Sequence, residues 1–152
     1  MTHEQYVRKE QMISIAINGA LSLVFFLIVF GQASVIPLWG VGNWVFDFLL
    51  QSFMIALMGT LVSGMLTMRR LRAGTLQPAP WQSRLPSSLV GRALVLSVAA
   101  ALLGTAAITA AVWASGLAEL SWTPALVLKV LYGLILAAIV TPIGLRSALA
   151  RP

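Results

Sequence analysis

Polar side chains inside long apolar stretches are the first candidates for functional residues in this chain, because a polar group in hydrocarbon is costly. Asn43, Asp47 and Gln51 recur every fourth residue and therefore share one face of a helix. Lys129 is the one charged residue in the apolar run 123–136. These four residues, the charged cluster, are a candidate site where a carboxylate and an ammonium could bind an ion, a polar substrate or each other.

Depth in the membrane decides what Lys129 can do. Thr123 suits the N-cap of a helix and Pro124 suits its first turn, so the fourth helix is predicted to start there. Lys129 then lies about 7 to 8 Å into the span at 1.5 Å per residue. Its ammonium can snorkel to the outer interface, pair with Asp47, or act as a functional charge in transport or binding. The sequence leaves the three interpretations open.

A second group of polar residues carries hydroxyls and one amide. They recur at three- or four-residue spacing on the first two apolar stretches and form the inner polar stripe: Ser14, Asn18, Ser22, Thr60, Ser63 and Thr67. We expect the two halves of the stripe to face each other and exchange hydrogen bonds of about 0.6 kcal/mol each. The alternative is a polar pathway or a ligand cavity.

Several kinds of chemistry lack their residues. The chain has no cysteine and one histidine, His3, which precedes the first apolar stretch. Disulfides, thiolate metal sites, thiol catalysis and bis-histidine haem ligation within one chain are therefore excluded. No apolar stretch holds paired carboxylates or a serine beside a base. We predict no catalytic residue, no metal, no cofactor and no enzymatic activity.

Composition indicates a membrane protein. Hydrophobic residues make up 59% of the 152 residues and charged residues 9%, whereas about a quarter of a soluble domain is charged. Four stretches, approximately 12–30, 44–68, 89–115 and 124–145, can each cross a core that needs roughly 20 helical residues. They lack the alternation of barrel strands. Residues 1–152 are predicted to form a single all-α domain, an integral membrane protein with four transmembrane helices in an up-down bundle.

Basic residues are placed asymmetrically. Nine lie before the first stretch, within or beside the loop 69–88, or at the C-terminus, and none lies in 31–43 or 116–123. The positive-inside rule predicts that both termini are cytoplasmic. Arginine outnumbers lysine eight to two, a composition associated with GC-rich bacterial genomes. The predicted location is the bacterial inner membrane, multi-pass.

The loop 69–88 is the one sizeable polar segment. Its basic and aromatic residues are expected to contact anionic lipid headgroups: Arg69, Arg70, Arg72, Trp81 and Arg84. A docking site for a protein is the alternative. The net charge of +6 does not indicate nucleic-acid binding, because the basic residues are not interleaved with aromatics on a soluble face.

The third stretch carries a helix-packing stripe of small residues at three- and four-residue spacing: Ala93, Ser97, Ala100, Gly104, Ala107 and Ala111. Small side chains let helix backbones approach closely. The third helix is therefore predicted to lie at the centre of the bundle or against a second protomer.

A weak internal repeat relates the second and fourth stretches. Residues 50–69 and 128–147 align without gaps at an offset of 78, which matches Gln51 with Lys129 and Ser63 with Thr141. The repeat predicts two tandem helical hairpins in parallel orientation. Chance similarity between apolar helices is the alternative.

Two functions from different classes fit these features. The first is a non-enzymatic accessory or scaffold subunit that packs against itself or a larger membrane complex. The second is a small oligomeric permease or channel that uses polar residues of the first, second and fourth helices. The predicted partners are the lipid bilayer and either a second copy or another membrane protein.

Overall fold

The structure is a computed structural model that describes residues 2–31 and 33–150. In chain order the elements are α1 (His3–Phe30), β1 (Val35–Pro37), α2 (Trp44–Arg72), α3 (Leu89–Ser115), β2 (Glu119–Ser121) and α4 (Trp122–Leu149). Each helix has 27 to 29 residues and an apolar window of mean hydropathy 1.8 or more, so each is long enough to cross a membrane. The chain is a four-span membrane protein whose helices pack as a bundle.

Local sequence explains where the helices begin. Thr2 and Gln5 form a capping box that starts α1 well before the apolar run. The side chain of Ser88 accepts the backbone N–H of Gly91 at the start of α3. Ser121, and not the predicted Thr123, is the N-cap residue of α4, because β2 leads directly into that helix.

The lateral order of the helices differs from their order along the chain. α1 packs on α4, α4 on α2 and α2 on α3, so that the order across the bundle is α1, α4, α2, α3. The backbones of α1 and α2, although joined by a short connection, come close at few positions. The two central helices are therefore α2 and α4.

Helix α3 lies at the edge of the bundle, which contradicts its predicted central position. Ala93, Ser97 and Ala100 are buried against the bundle, whereas Ala107 and Ala111 in the second half of the stripe are exposed. The six positions average 3.6 residues per step and therefore stay on one face of α3, but the neighbouring helices bury only the first half of that face. Gly104 lies between the two halves and is partly buried.

A short antiparallel pairing joins the two hairpins at one end of the bundle. Ile36 of β1 pairs with Leu120 of β2, and the end that carries this pairing is called the strand face. The indole N–H of Trp44 donates to the carbonyl of Ala125, and that of Trp122 donates to the carbonyl of Phe30. These bonds tie α2 to α4 and α4 to α1.

The opposite end, the terminal face, holds the start of α1, the end of α2, the start of α3 and the end of α4. The connection after α2 folds over it: the Ala79 N–H donates to the Leu149 carbonyl at 2.8 Å. The indole of Trp81 donates to the Arg146 carbonyl at 3.0 Å. This bond ties the connection to α4, and the contact of Trp81 with headgroups stays a prediction.

Features of the fold agree with the proposed repeat without testing it. α2 and α4 begin with Trp44 and Trp122, at the same offset of 78 as the sequence alignment. The packing of α1 on α4 and of α3 on α2 is what a two-fold relation between two hairpins would produce. The duplication stays a prediction.

Candidate functional site

Lys129 points into the bundle and pairs with Asp47. Its side chain is 1% exposed, and its ammonium donates to the carboxylate of Asp47, which is 22% exposed. The ammonium also lies 5.0 Å from the ring centroid of Phe48 and 5.7 Å from that of Phe30. Among the three interpretations of Lys129, the structure agrees with the ion pair with Asp47.

The two helices bring this pair together because they start at the same level. Asp47 lies in the first turn of α2, where a negative charge interacts favourably with the helix dipole. Lys129 is the eighth residue of α4, two turns from its start, and its ammonium is buried there. The carboxylate and two aromatic faces supply the compensation that a buried ammonium requires.

Gln51 extends the ion pair towards the middle of the bundle. Its amide nitrogen donates to the hydroxyl of Ser22 at 2.9 Å and to the carbonyl of Lys129 at 3.4 Å. Its amide oxygen is buried and has no hydrogen-bond partner within residues 2–31 and 33–150. Asn43 does not join this group, because it precedes the helix and donates to the Trp39 carbonyl at 2.5 Å.

Ser52 and Tyr132 form a neighbouring hydrogen bond that the sequence analysis missed. Their hydroxyls are 2.5 Å apart, and Ser52 also donates to the Phe48 carbonyl. A Cβ atom at Gly104 of α3 would overlap the Tyr132 hydroxyl. The absence of a side chain at Gly104 therefore makes room for this contact. The sequence feature that could have identified Tyr132 is its position one helical turn after Lys129.

The α1 half of the inner polar stripe faces α4. Ser14 shares a hydrogen bond of 2.7 Å with Thr141. The Asn18 amide donates to the Ser14 carbonyl at 2.8 Å, and Ser22 accepts from Gln51. Each serine therefore links α1 to a central helix.

The α2 half of the stripe also packs against α4. Thr60 is fully buried beside Gly144, and its hydroxyl has no partner in the part of the chain that the structure describes. Ser63 and Thr67 donate to carbonyls one turn back, at Gly59 and Ser63. The predicted hydrogen bonds between the two halves are wrong: Ser14 bonds to Thr141 of α4, Ser22 to Gln51, and Thr67 to Tyr6, so no stripe residue of α1 bonds to one of α2 among the described residues.

A second ion pair lies towards the terminal face. Glu10 is 7% exposed and accepts from Arg70 at 3.0 Å, and the Arg70 guanidinium lies 5.0 Å from the ring centroid of Tyr6. The Tyr6 hydroxyl shares a bond of 2.9 Å with Thr67. Arg70 therefore pairs with a buried carboxylate while its side chain stays 41% exposed, and its contact with headgroups stays a prediction. Glu10 was missed because it precedes the apolar run.

Together these residues form a polar column between the central helices and α1, with an ion pair at each end. Its members are Glu10, Ser14, Asn18, Ser22, Asp47, Gln51, Thr60, Ser63, Thr67, Arg70, Lys129 and Thr141. The pairs Ser14–Thr141, Ser22–Gln51, Glu10–Arg70 and Asp47–Lys129 join different helices. The side chains of Asn18, Ser63 and Thr67 donate to carbonyls of their own helix. Three grooves of about 360 to 460 Å³ lie elsewhere, two at the terminal face and one between α2 and α3, and no column residue lines them. Within the described residues, no group of three or more histidine, aspartate or glutamate side chains could hold a metal ion.

The remaining headgroup candidates lie at the terminal face. Arg69, Arg72 and Arg84 are exposed there. Their contact with anionic lipid stays a prediction. Comparison with protein-family models, with curated proteins and with solved structures gave no match for this chain.

Proposed function

We propose that this four-span protein is a non-enzymatic accessory or scaffold subunit of the bacterial inner membrane, packing against another membrane protein or a second copy. The observation that carries the proposal is the internal use of the intramembrane polar groups. Lys129 is paired with Asp47, Ser14 with Thr141 and Ser22 with Gln51 inside a packed bundle. Groups that join helices in this way support a structural role.

The exposed side of α3 supports a partner helix. In an apolar 18-residue segment of α3, 17% of the residues are buried inside the bundle. In the corresponding segments of the other three helices the share is 28 to 33%. Ala106 and Ala110 line a groove between α2 and α3, and the buried hydroxyl of Thr105 in its wall lacks a partner among the described residues. Small residues at such a surface allow a further helix to approach closely.

Recovery of a partner tests this proposal. The tagged full-length chain, extracted in mild detergent, is expected to yield a defined oligomer or a stoichiometric partner by mass spectrometry. Ala106→Phe, which fills the groove, is expected to reduce that recovery about ten-fold, the effect of losing some 1.4 kcal/mol of binding. Ala20→Phe makes the same change on the exposed face of α1 and is expected to leave recovery unchanged.

A monodisperse monomer in native-like lipid, without a co-purifying protein, would overturn the scaffold proposal. Equal losses for Ala106→Phe and Ala20→Phe would instead reject α3 as the binding surface. Thermal unfolding of both variants in the same detergent shows whether they remain folded.

The polar column favours a small permease or channel as the second candidate. It runs between two ion pairs, and the buried oxygens of Gln51 and Thr60 have no partner in the described chain. Oxygens of this kind could bind water or an ion in an open state. Ion and proton flux into liposomes separates the candidates: a flux that Lys129→Met abolishes supports transport, and flux at the level of empty liposomes rejects it.

The proposed orientation places the terminal face in the cytoplasm. Its support is the asymmetry of nine basic residues against none. A reporter enzyme that is active only in the cytoplasm is expected to be active when it is joined after Arg72. A reporter that is active only in the periplasm is expected to be active when it is joined after Gly116. The reversed pattern would overturn the orientation.

A further inference from the structure

A pocket at the terminal face contains two arginines and no side-chain carboxylate. It has a volume of about 360 Å³ and lies among the end of α2, the start of α3, the end of α4 and the connection before α3. Arg72, Arg92 and three serines (Ser83, Ser87 and Ser147) line it together with apolar side chains. We call it the arginine pocket. Its size lies in the range of small-molecule sites, roughly 300 to 1,000 Å³.

Arg92 is the unusual member of this pocket. The residue is 6% exposed, and its guanidinium donates to the Ser87 carbonyl at 3.3 Å. Its Nε atom is buried and has no hydrogen-bond partner within the described ranges. A buried guanidinium is normally paired, since an uncompensated buried charge is strongly destabilising.

The chain has no spare side-chain carboxylate for Arg92. It contains four acidic residues. Glu4 pairs with Arg146, Glu10 with Arg70 and Asp47 with Lys129. The fourth, Glu119, lies in β2 at the strand face, at the other end of the bundle. Among the described residues, no side-chain carboxylate therefore remains as a counter-charge for Arg92.

The backbone around Arg92 also favours an anion. Arg92 is the fourth residue of α3, and the first turn of α3 has no acidic residue. A cation at a helix N-terminus opposes the helix dipole, whereas an anion there is stabilised by it. At the same face, α1 carries Glu4 in its first turn. The start of α3 thus combines a buried cation with a positive helix end.

We propose that the arginine pocket binds the phosphate of an anionic phospholipid headgroup. Guanidinium groups bind phosphate oxygens through parallel, charge-assisted hydrogen bonds, and serine hydroxyls add further donors. Leu71, Leu85 and Ala148 provide apolar wall for the glycerol and the first acyl carbons. Free phosphate shares the charged chemistry, but it has no apolar part that would contact that wall. This inference does not depend on the proposed scaffold function.

Native mass spectrometry of the detergent-solubilised full chain, titrated with phosphatidylglycerol, tests the proposal. We expect Arg92→Gln to weaken binding about ten-fold, the effect of losing one charge-assisted hydrogen bond. Arg72→Gln, at an exposed position in the pocket wall, is expected to weaken it about three-fold. Arg92→Lys, which keeps the charge and loses the planar fork, is expected to fall between wild type and Arg92→Gln.

The matched control is Arg8→Gln, which removes the same charge from an exposed position of α1 outside the arginine pocket. Its phosphatidylglycerol affinity is expected to stay within two-fold of wild type. An equal loss in Arg8→Gln and Arg92→Gln would overturn the proposal in favour of general charge attraction. The exposed Arg72 position keeps the test informative even if Arg92→Gln fails to fold.

Two further probes identify the bound group. Diacylglycerol, which lacks the phosphate, is expected to bind with an affinity that does not depend on Arg92. Inorganic phosphate alone is expected to leave phosphatidylglycerol bound. Displacement of the lipid by inorganic phosphate, or the same Arg92 dependence for diacylglycerol, would overturn the proposal.

Discussion

Asp47→Asn is expected to lower the free energy of unfolding by about 3 kcal/mol, because it leaves the Lys129 ammonium buried without its counter-charge. Breaking a buried ion pair from one side costs about 3 to 5 kcal/mol, and the partial exposure of Asp47 places this pair at the lower end. The aromatic faces of Phe30 and Phe48 remain and recover only part of the loss. Thermal and denaturant unfolding of the purified chain in one detergent measure the change.

The pair also predicts how the two single variants combine. Lys129→Met removes the ammonium and leaves a carboxylate that is 22% exposed in the first turn of α2, so its cost should be smaller than that of Asp47→Asn. The double variant should lose less stability than the sum of the two single losses, which gives a coupling energy of about 1 to 3 kcal/mol. Additive losses would mean that the ion pair does not hold α2 to α4.

An exposed ion pair of the same chain provides the control. Glu4 and Arg146 are 66% and 56% exposed in their side chains, and exposed pairs of this kind contribute little to stability. Glu4→Gln is therefore expected to leave unfolding unchanged. A loss as large as that of Asp47→Asn would show that the assay responds to charge rather than to burial.

Gly133→Ala is expected to destabilise the bundle by about 1 to 3 kcal/mol through overpacking. The added methyl group would overlap the Ser22 hydroxyl and lie 3.1 Å from the Gln51 amide nitrogen. Moving either side chain breaks the 2.9 Å hydrogen bond between Ser22 and Gln51. The same unfolding assay measures the loss.

Gly59→Ala is the matched control, since Gly59 also lies in the middle of a central helix. A methyl group there would meet Thr141 at 3.7 Å and Ser14 at 4.0 Å, which are ordinary contacts. Alanine favours a helix over glycine by up to about 1 kcal/mol, so this variant should be neutral or stabilising. Equal effects at the two glycines would contradict the close approach of α1 to α4 at Gly133.

The presence of the four helices could be predicted from the sequence, because the hydropathy of a long stretch depends on that stretch alone. The Asp47–Lys129 contact was one of three interpretations, since both residues lie near the starts of helices that begin at the same face. Nothing in the local sequence indicates that α4 packs between α1 and α2. The two halves of the inner polar stripe were therefore assigned to each other instead of to α4.

Residues outside the apolar runs were the hardest to predict. Glu10 lies before the first apolar run, yet the capping box at Thr2 extends α1 far enough to place Glu10 beside Arg70. Arg92 lies at the start of a predicted span and was counted only for topology, because its burial depends on the connection that folds over it. Asn43 fitted the four-residue spacing but precedes the first turn of α2, so helical periodicity did not apply to it.

The lateral order of the helices sets the order of assembly during synthesis. Ser14 of α1 bonds to Thr141, which is 127 residues later in the chain. At about 5 to 20 residues per second, α1 is made some 6 to 25 s before that partner. During this interval the polar side chains of α1 lack their native partners on α4. A nascent chain stopped after α3 would keep them in that state.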